Sequence, residues 1–200
     1  EEINAIEKMK FELFGKDEVN FVLFFNSRNI RRKQIPDTMW AFKMFLDSLP
    51  KEKADKCRFV LHTELSHSAG TDLLSVKELL FNDYPNALIF STNKLSNADL
   101  NKMYNSTDCQ ILLTSNEGWG LTLTEAMLAG NPIIVNVTGG MQDQCGVRDE
   151  DGNLLTAEDY IELGSNHRGE YKTHGEWVKP VYPASISLQG SPPTPYIWDD

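Results

Sequence analysis

Apolar and polar residues fall into blocks along this chain. Runs of four to eight mostly apolar residues recur, and between them lie stretches in which apolar residues return every three to four positions. Runs of the first kind predict strands of a largely parallel, covered sheet, and the 3.6-residue period between them predicts helices. The expected strands are Phe21–Asn26, Cys57–Thr63, Ala87–Ser91, Gln110–Thr114 and Pro132–Val137. Between the first two, Met39, Trp40, Phe42, Phe45, Leu46 and Leu49 mark the apolar face of a helix that Pro36 and Asp37 are suited to start. Further helices are expected over Asp72–Phe81, Asn97–Tyr104 and Thr122–Ala129, with Gly130 where the last should stop. The fold class is α/β: a doubly wound, mostly parallel, Rossmann-like sheet.

The two ends are less regular. Ile3, Ile6, Met9, Leu13 and Phe14 fit a leading helix or a connector over residues 1–14. Beyond Gly152 the periodicity fades, and Pro180, Pro183, Pro192, Pro193 and Pro195 crowd the end, so residues 156–200 are expected to be irregular and extended with little helix.

Length and composition narrow the classes. At 200 residues, 40% hydrophobic and 24% charged, the chain is expected to form one globular domain over 1–200. The longest apolar run, Phe21 to Phe25, is far short of a membrane helix, so no transmembrane segment is expected. Cys57, Cys109 and Cys145 lie far apart with no CxxC pair, which points to a reducing, cytoplasmic setting rather than a disulfide framework or a thiolate zinc site. A net charge of -10 disfavours nucleic acid as a partner. One island departs from this balance: Arg28, Arg31, Arg32 and Lys33 gather four cations, leaving 15 basic against 29 acidic residues elsewhere. So local a cluster suits a small anion.

In parallel α/β sheets ligands bind beyond the carboxyl ends of the strands, so the segments after the strands carry the candidate chemistry. Three stand out: Asn26 to Lys33, Ser115-Asn116-Glu117-Gly118-Trp119-Gly120, and Thr138-Gly139-Gly140. Gly118 and Gly120 permit close backbone approach, and Leu121 and Thr122 open a helix whose first amides lack internal partners, a site for a phosphate or diphosphate. Arg28 and Lys33 would add positive charge without a metal. Glu117 and Glu125 bracket the same loop, and carboxylates beside a diphosphate are better suited to ribose or sugar hydroxyls. Phosphate between two hydroxyl-binding acids describes a nucleotide sugar.

The run Glu117-Gly-Trp-Gly-Leu-Thr-Leu-Thr-Glu125, continuing to Val135, resembles the Glu-x7-Glu motif of retaining GT-B glycosyltransferases of family GT4, the group 1 glycosyl transferases. Arg28 with Lys33 resembles that family's cationic pair, and Thr138-Gly139-Gly140 its final glycine loop; the likeness covers about Lys8 to Leu155. The resemblance implies a carboxy-terminal donor-binding domain for a UDP-, GDP- or ADP-sugar. Arg28 and Lys33 would neutralise the leaving diphosphate, and Glu117 would contact the transferred sugar, making these three the catalytic candidates. Glu125 would hold the ribose, the amides of Gly120, Leu121 and Thr122 the phosphate, and Gly118, Trp119, Gly139 and Gly140 would complete the donor-binding loops. Thr92 and Asn93 would lie near the base. No metal or other cofactor is required in that family. The implied activity is hexosyl transfer in a longer parent whose amino-terminal acceptor domain is absent from this chain. The chain lacks an initiator Met and reads as a fragment, expected to be inactive alone. It departs from the family at its end, where His174 to Pro180 and the prolines replace further helices.

Plainer readings stand beside these. Thr122-x-x-Glu125 also fits a capping box, Glu117 alone a solvated loop acid, and Gly139-Gly140 a tight turn. Arg31 and Arg32 are expected to face solvent, and Trp119 to support its loop by packing or to stack against a sugar. His62 and His67 lack the HExxH spacing of a zinc site. Asn105-Ser106-Thr107 and Asn136-Val137-Thr138 fit glycosylation sequons, with Asn136 expected to be buried. A non-catalytic, nucleotide- or partner-binding module of the same fold is the alternative function. A nicotinamide-dependent dehydrogenase would need a G-x-G-x-x-G that does not follow the first strand.

Overall fold

The computed structural model describes residues 2–156, 158–159, 169–191 and 194–199. Its elements are α1 (Glu2–Phe14), β1 (Phe21–Asn26), α2 (Ile35–Asp47), α3 (Lys51–Ala54), β2 (Cys57–His62), α4 (Leu73–Leu80), β3 (Leu88–Ser91), α5 (Asn97–Asn105), β4 (Cys109–Leu112), α6 (Leu121–Leu128), β5 (Ile133–Asn136), β6 (Val178–Val181), β7 (Ile186–Ser191) and β8 (Thr194–Asp199). Six strands form one parallel sheet in the order β3-β2-β1-β4-β5-β6. β7 and β8 make a separate antiparallel pair.

This order places the topological reversal between β1 and β4, where consecutive crossovers leave in opposite directions and a crevice opens beyond the strand ends. β1 and β2 pair over their full length, Phe21 with Cys57 through Asn26 with His62. Phe24, Phe25, Phe59, Val60 and Leu61 are almost fully buried, as strands covered on both faces require. On α2, Met39, Phe42 and Leu46 face the core, and the Phe42 ring meets Phe59 with centroids 5.2 Å apart. Leu123 and Ala126 bury the inner face of α6.

The helix starts carry their own explanations. Asp72 accepts from the amides of Leu74 and Ser75 and caps α4, and Ser96 accepts from Asp99 and caps α5. α6 begins at Gly120, with φ 83 and no side-chain cap, and is followed by Gly130 at φ 85.

Three expectations need correction. The sheet has a sixth strand, Val178–Val181, inside the expected irregular tail; it lies at the sheet edge, where Pro180 costs no ladder bond on its outer side. The end of the tail forms the β7–β8 pair, while the irregular course expected for residues 160–168, and for Pro192 and Pro193, lies outside the described residues. On α2, Trp40 is 57% exposed and Phe45 is partly exposed, because they fall outside the Met39–Phe42–Leu46 stripe. The leading segment is a helix, and all three cysteines are buried and free. Among the described residues no helix is long and apolar enough to cross a membrane.

Candidate functional site at the carboxyl rim

The loop after β1 is tied down on both sides. Asn29, only 1% exposed, donates from Nδ2 to the carbonyls of Glu64 (3.1 Å) and Thr71 (2.6 Å) and accepts from the Thr71 amide (3.1 Å). Its own amide donates to Glu64 Oε2 at 3.0 Å. Gly70 lies beneath it, so close that any Cβ there would overlap the Asn29 carbonyl and amide oxygens. The chain then makes a 3₁₀ turn over Arg31–Lys33 and leaves it through Gln34 at φ 45, the one positive φ outside glycine among the described residues.

That turn is joined to the segment after β4. The Ser115 amide donates to the Arg32 carbonyl at 2.8 Å, and Gln34 Nε2 donates to Ser115 Oγ at 2.9 Å. Lys33 is buried and its ammonium pairs with Glu117 Oε2. Arg32 Nη1 donates to the same oxygen at 3.1 Å and to the Asn116 carbonyl at 2.6 Å. Burial pulls the Lys33 ammonium below the usual lysine range against the attraction of Glu117. Burial pushes the Glu117 carboxyl upward, but the hydrogen bond and charge of Lys33, reinforced by Arg32, hold it below the usual carboxylate range. Glu117 is therefore an anion gripped by two cations rather than a solvated loop acid.

The third segment closes against the second. A Cβ on Gly139, at φ 50, would overlap the Glu117 carbonyl oxygen, and one on Gly140 would overlap that of Gly118. These glycines let two backbones touch at the loop that presents Glu117. Asn136, buried as expected, accepts from the Thr114 amide at 3.0 Å and donates to the Thr114 carbonyl at 2.5 Å, extending the β4–β5 pairing by one step. Trp119 is partly exposed and its Nε1 donates to Thr124 Oγ1 at 2.9 Å, supporting the loop from its outer side.

Beyond the ends of β1, β2 and β3 lies a cavity of ≈ 410 Å³ whose wall includes Asn26, Arg28, His62, Thr92, Asn93 and Thr122. Arg28, Thr92, Asn93 and the first turn of α6 are thus brought to one space. Two hydroxyl oxygens of this wall, Thr63 Oγ1 and Thr122 Oγ1, are buried with no hydrogen-bond partner in the described structure. His62 Nδ1 lies 3.0 Å from Ser91 Oγ; burial lowers its pKa against the pull of Ser91 and Glu64, which keeps the ring neutral at pH 7. Sequence reading weighed His62 only as a metal ligand. Among the described residues no group of three or more His, Cys, Asp or Glu could hold a metal ion.

Lys33 and Glu117 sit together across the β1–β4 reversal but do not line that cavity. Glu125 does not line it either. It borders a smaller cavity of ≈ 240 Å³ with Asn97, Asn101 and Leu128, and accepts from the Tyr104 hydroxyl at 2.7 Å. The capping-box alternative is not what the structure holds, since Gly120 rather than Thr122 caps α6 and no side chain bonds the cap. Arg32 is corrected as well: it is half-buried against Glu117 and Asn116, not solvent-facing, because the 3₁₀ turn swings it toward the β4 loop, while Arg31 is exposed as expected. Asn29 and Gly70 were missed. Neither has a local sequence signature, since the first bonds across 42 residues to Thr71.

No curated protein sequence matches the chain. Solved structures do. The C-terminal domain of the glycosyl transferase group 1 protein LpcC from Francisella tularensis aligns over 80% of this chain and 82% of its own at TM-score 0.57 and 18% identity. A trehalose-6-phosphate structure from E. coli, bound with UDP-2-fluoro glucose, aligns over 68% of this chain at TM-score 0.57 and 16% identity. The catalytic domain of starch synthase IV from Arabidopsis thaliana, bound to ADP and acarbose, aligns over 78% at TM-score 0.52 and 18% identity. The chain spans 33% and 30% of the last two. At such identities these likenesses establish the fold alone. The family model of the glycosyl transferases group 1 matches residues 6–164, so most of the sequence, together with its fold, puts this chain in that family.

Proposed function

We propose that this chain is the donor-binding domain of a retaining, GT4-type glycosyltransferase and takes a nucleoside-diphosphate sugar at the carboxyl rim of its sheet. The observation that carries the reading is the meeting of Lys33, Arg32 and Glu117 across the β1–β4 reversal, beside the cavity that holds Arg28 and the start of α6. A diphosphate in that cavity is met by Arg28 and by the amides at the start of α6, with the Lys33 ammonium, paired with Glu117 beside it, adding positive charge. As the bond between sugar and diphosphate breaks, negative charge builds on the leaving phosphate oxygens, and these fixed donors stabilise it without reorganising. Glu117, held ionised by its two cations, faces the transferred sugar. Thr92 and Asn93 line the end of the cavity suited to the base. The family needs no metal for this step, and the reading uses none. Hexosyl transfer requires an acceptor domain in a longer parent, so this chain alone binds donor without transferring it. Buried free cysteines fit a cytoplasmic protein.

Two solved neighbours hold UDP-2-fluoro glucose and ADP respectively, which supports testing both bases together with guanine. Calorimetric titration with UDP, GDP and ADP should give saturable binding to one of them. Arg28→Ala should weaken that binding at least tenfold and leave binding of the parent nucleoside unchanged. Absence of binding to all three at millimolar concentration would overturn the reading.

A further inference from the structure

The structure assigns Tyr104 as a positioning residue: through hydrogen bonds from Asn26 to Tyr104 to Glu125, it ties to the wall of the main cavity the carboxylate that the donor-site reading gives to the ribose hydroxyls. Asn26 closes β1 and lines the main cavity, and its Nδ2 donates to the Tyr104 hydroxyl at 3.1 Å. That hydroxyl donates in turn to Glu125 Oε2 at 2.7 Å. Tyr104 is 2% exposed and locked from three directions: its ring lies edge-on to Phe24 at 5.2 Å, its backbone oxygen accepts from Asn131 Nδ2 at 2.7 Å, and Thr107 Oγ1 donates to that same oxygen at 3.0 Å. Glu125, by contrast, is exposed on the second turn of α6 with no other hydrogen bond described. An exposed glutamate loses several rotatable degrees of freedom when it grips a ligand, and a rigid buried donor removes that loss beforehand. With Oε2 occupied by Tyr104, Oε1 is left to accept from a diol. Burial, reinforced by Glu125, keeps the phenol protonated and therefore a donor.

This inference rests on the donor-site reading and is separable from it. The test is calorimetric titration of wild type, Tyr104→Phe, Glu125→Gln and the double variant with the ribonucleoside diphosphate that binds and with its 2′,3′-dideoxy counterpart. Tyr104→Phe should weaken the ribonucleotide about fivefold, the scale of one ordinary hydrogen bond, and leave the dideoxy form unchanged. In the double variant the two losses should overlap rather than multiply. A Tyr104→Phe protein that loses both ligands equally, or losses that multiply, would overturn the relay while leaving the donor site standing. Should Tyr104→Phe not fold, Asn26→Ala, which removes the donor to the Tyr104 hydroxyl, decides: equal loss of ribo and dideoxy forms there overturns the relay, and loss confined to the ribo form supports it. Wild-type protein that binds no nucleoside diphosphate removes both readings together.

Discussion

The two ends of the sheet carry cavities of nearly the same size and opposite character. At the carboxyl rim, ≈ 410 Å³ is bounded by Arg28, Asn93 and by hydroxyls of Thr63 and Thr122 that find no partner among the described residues. At the amino rim, ≈ 390 Å³ is bounded by Glu7, Lys10, Asp17 and Asp108 beneath α1. There the polar groups are engaged within the fold: Asp108 Oδ2 accepts from the Val22 amide at 2.7 Å, and Asp17 Oδ2 from Arg58 Nη2 at 2.9 Å. Volume does not separate a ligand site from a packing gap, but unmet donors and acceptors do. Loops after parallel strands place such groups together at the reversal of strand order, whereas the amino rim mainly has to start strands.

The largest expected effect tests the contact between the two glycine-bearing loops. Gly140→Ala must part the Gly118 carbonyl from its neighbour, and should cost about 3 kcal/mol in denaturant unfolding and abolish nucleotide binding. Lys33→Met leaves Glu117 half-buried without its closest cation, and should cost about 3 kcal/mol with loss of diphosphate affinity. Asp108→Ala at the amino rim removes the acceptor of the Val22 amide; about 1–2 kcal/mol of stability should go, with nucleotide affinity unchanged. If affinity fell in step, the two rims would not be separable.

The pH dependence of stability sharpens the same contrast. Because the folded pKa of Glu117 lies below 4.5, its contribution is present above the ordinary carboxylate range and is lost as pH falls through the depressed value. Lys33 acts at the other end, its penalty for carrying a charge fading as pH rises toward 10.5. Unfolding curves between about pH 3 and pH 6 should therefore be shallower by about 1 kcal/mol in Glu117→Gln than in wild type. Smallest of all is Gly118→Ala, where a Cβ meets nothing within 4 Å; stability should change by no more than about 0.5 kcal/mol.

Much of the fold was legible because buried parallel strands must be apolar throughout. Phe21–Asn26 is found as expected, and the other four expected strands differ by one or two residues at their ends. The sixth strand was hidden because only four residues pair and one is Pro180, which a pattern reading takes as a stop. Within the site, Glu117, Gly120 and Lys33 stood out through residue type and spacing near strand ends. Tyr104 did not. Its apolar ring fits a helix packing face, and its hydroxyl meets partners 78 and 21 residues away in sequence. Arg32 was misplaced for a related reason: a 3₁₀ turn rotates successive side chains differently from a strand, and nothing in four adjacent cations says which is turned inward.

The account stands most directly on where a nucleotide settles. Crystals grown with UDP, GDP and ADP sugars should show a diphosphate over Arg28 and the first turn of α6, with the base toward Thr92 and Asn93. Density for the nucleotide only beneath α1, among Lys10, Asp17 and Asp108, would contradict it.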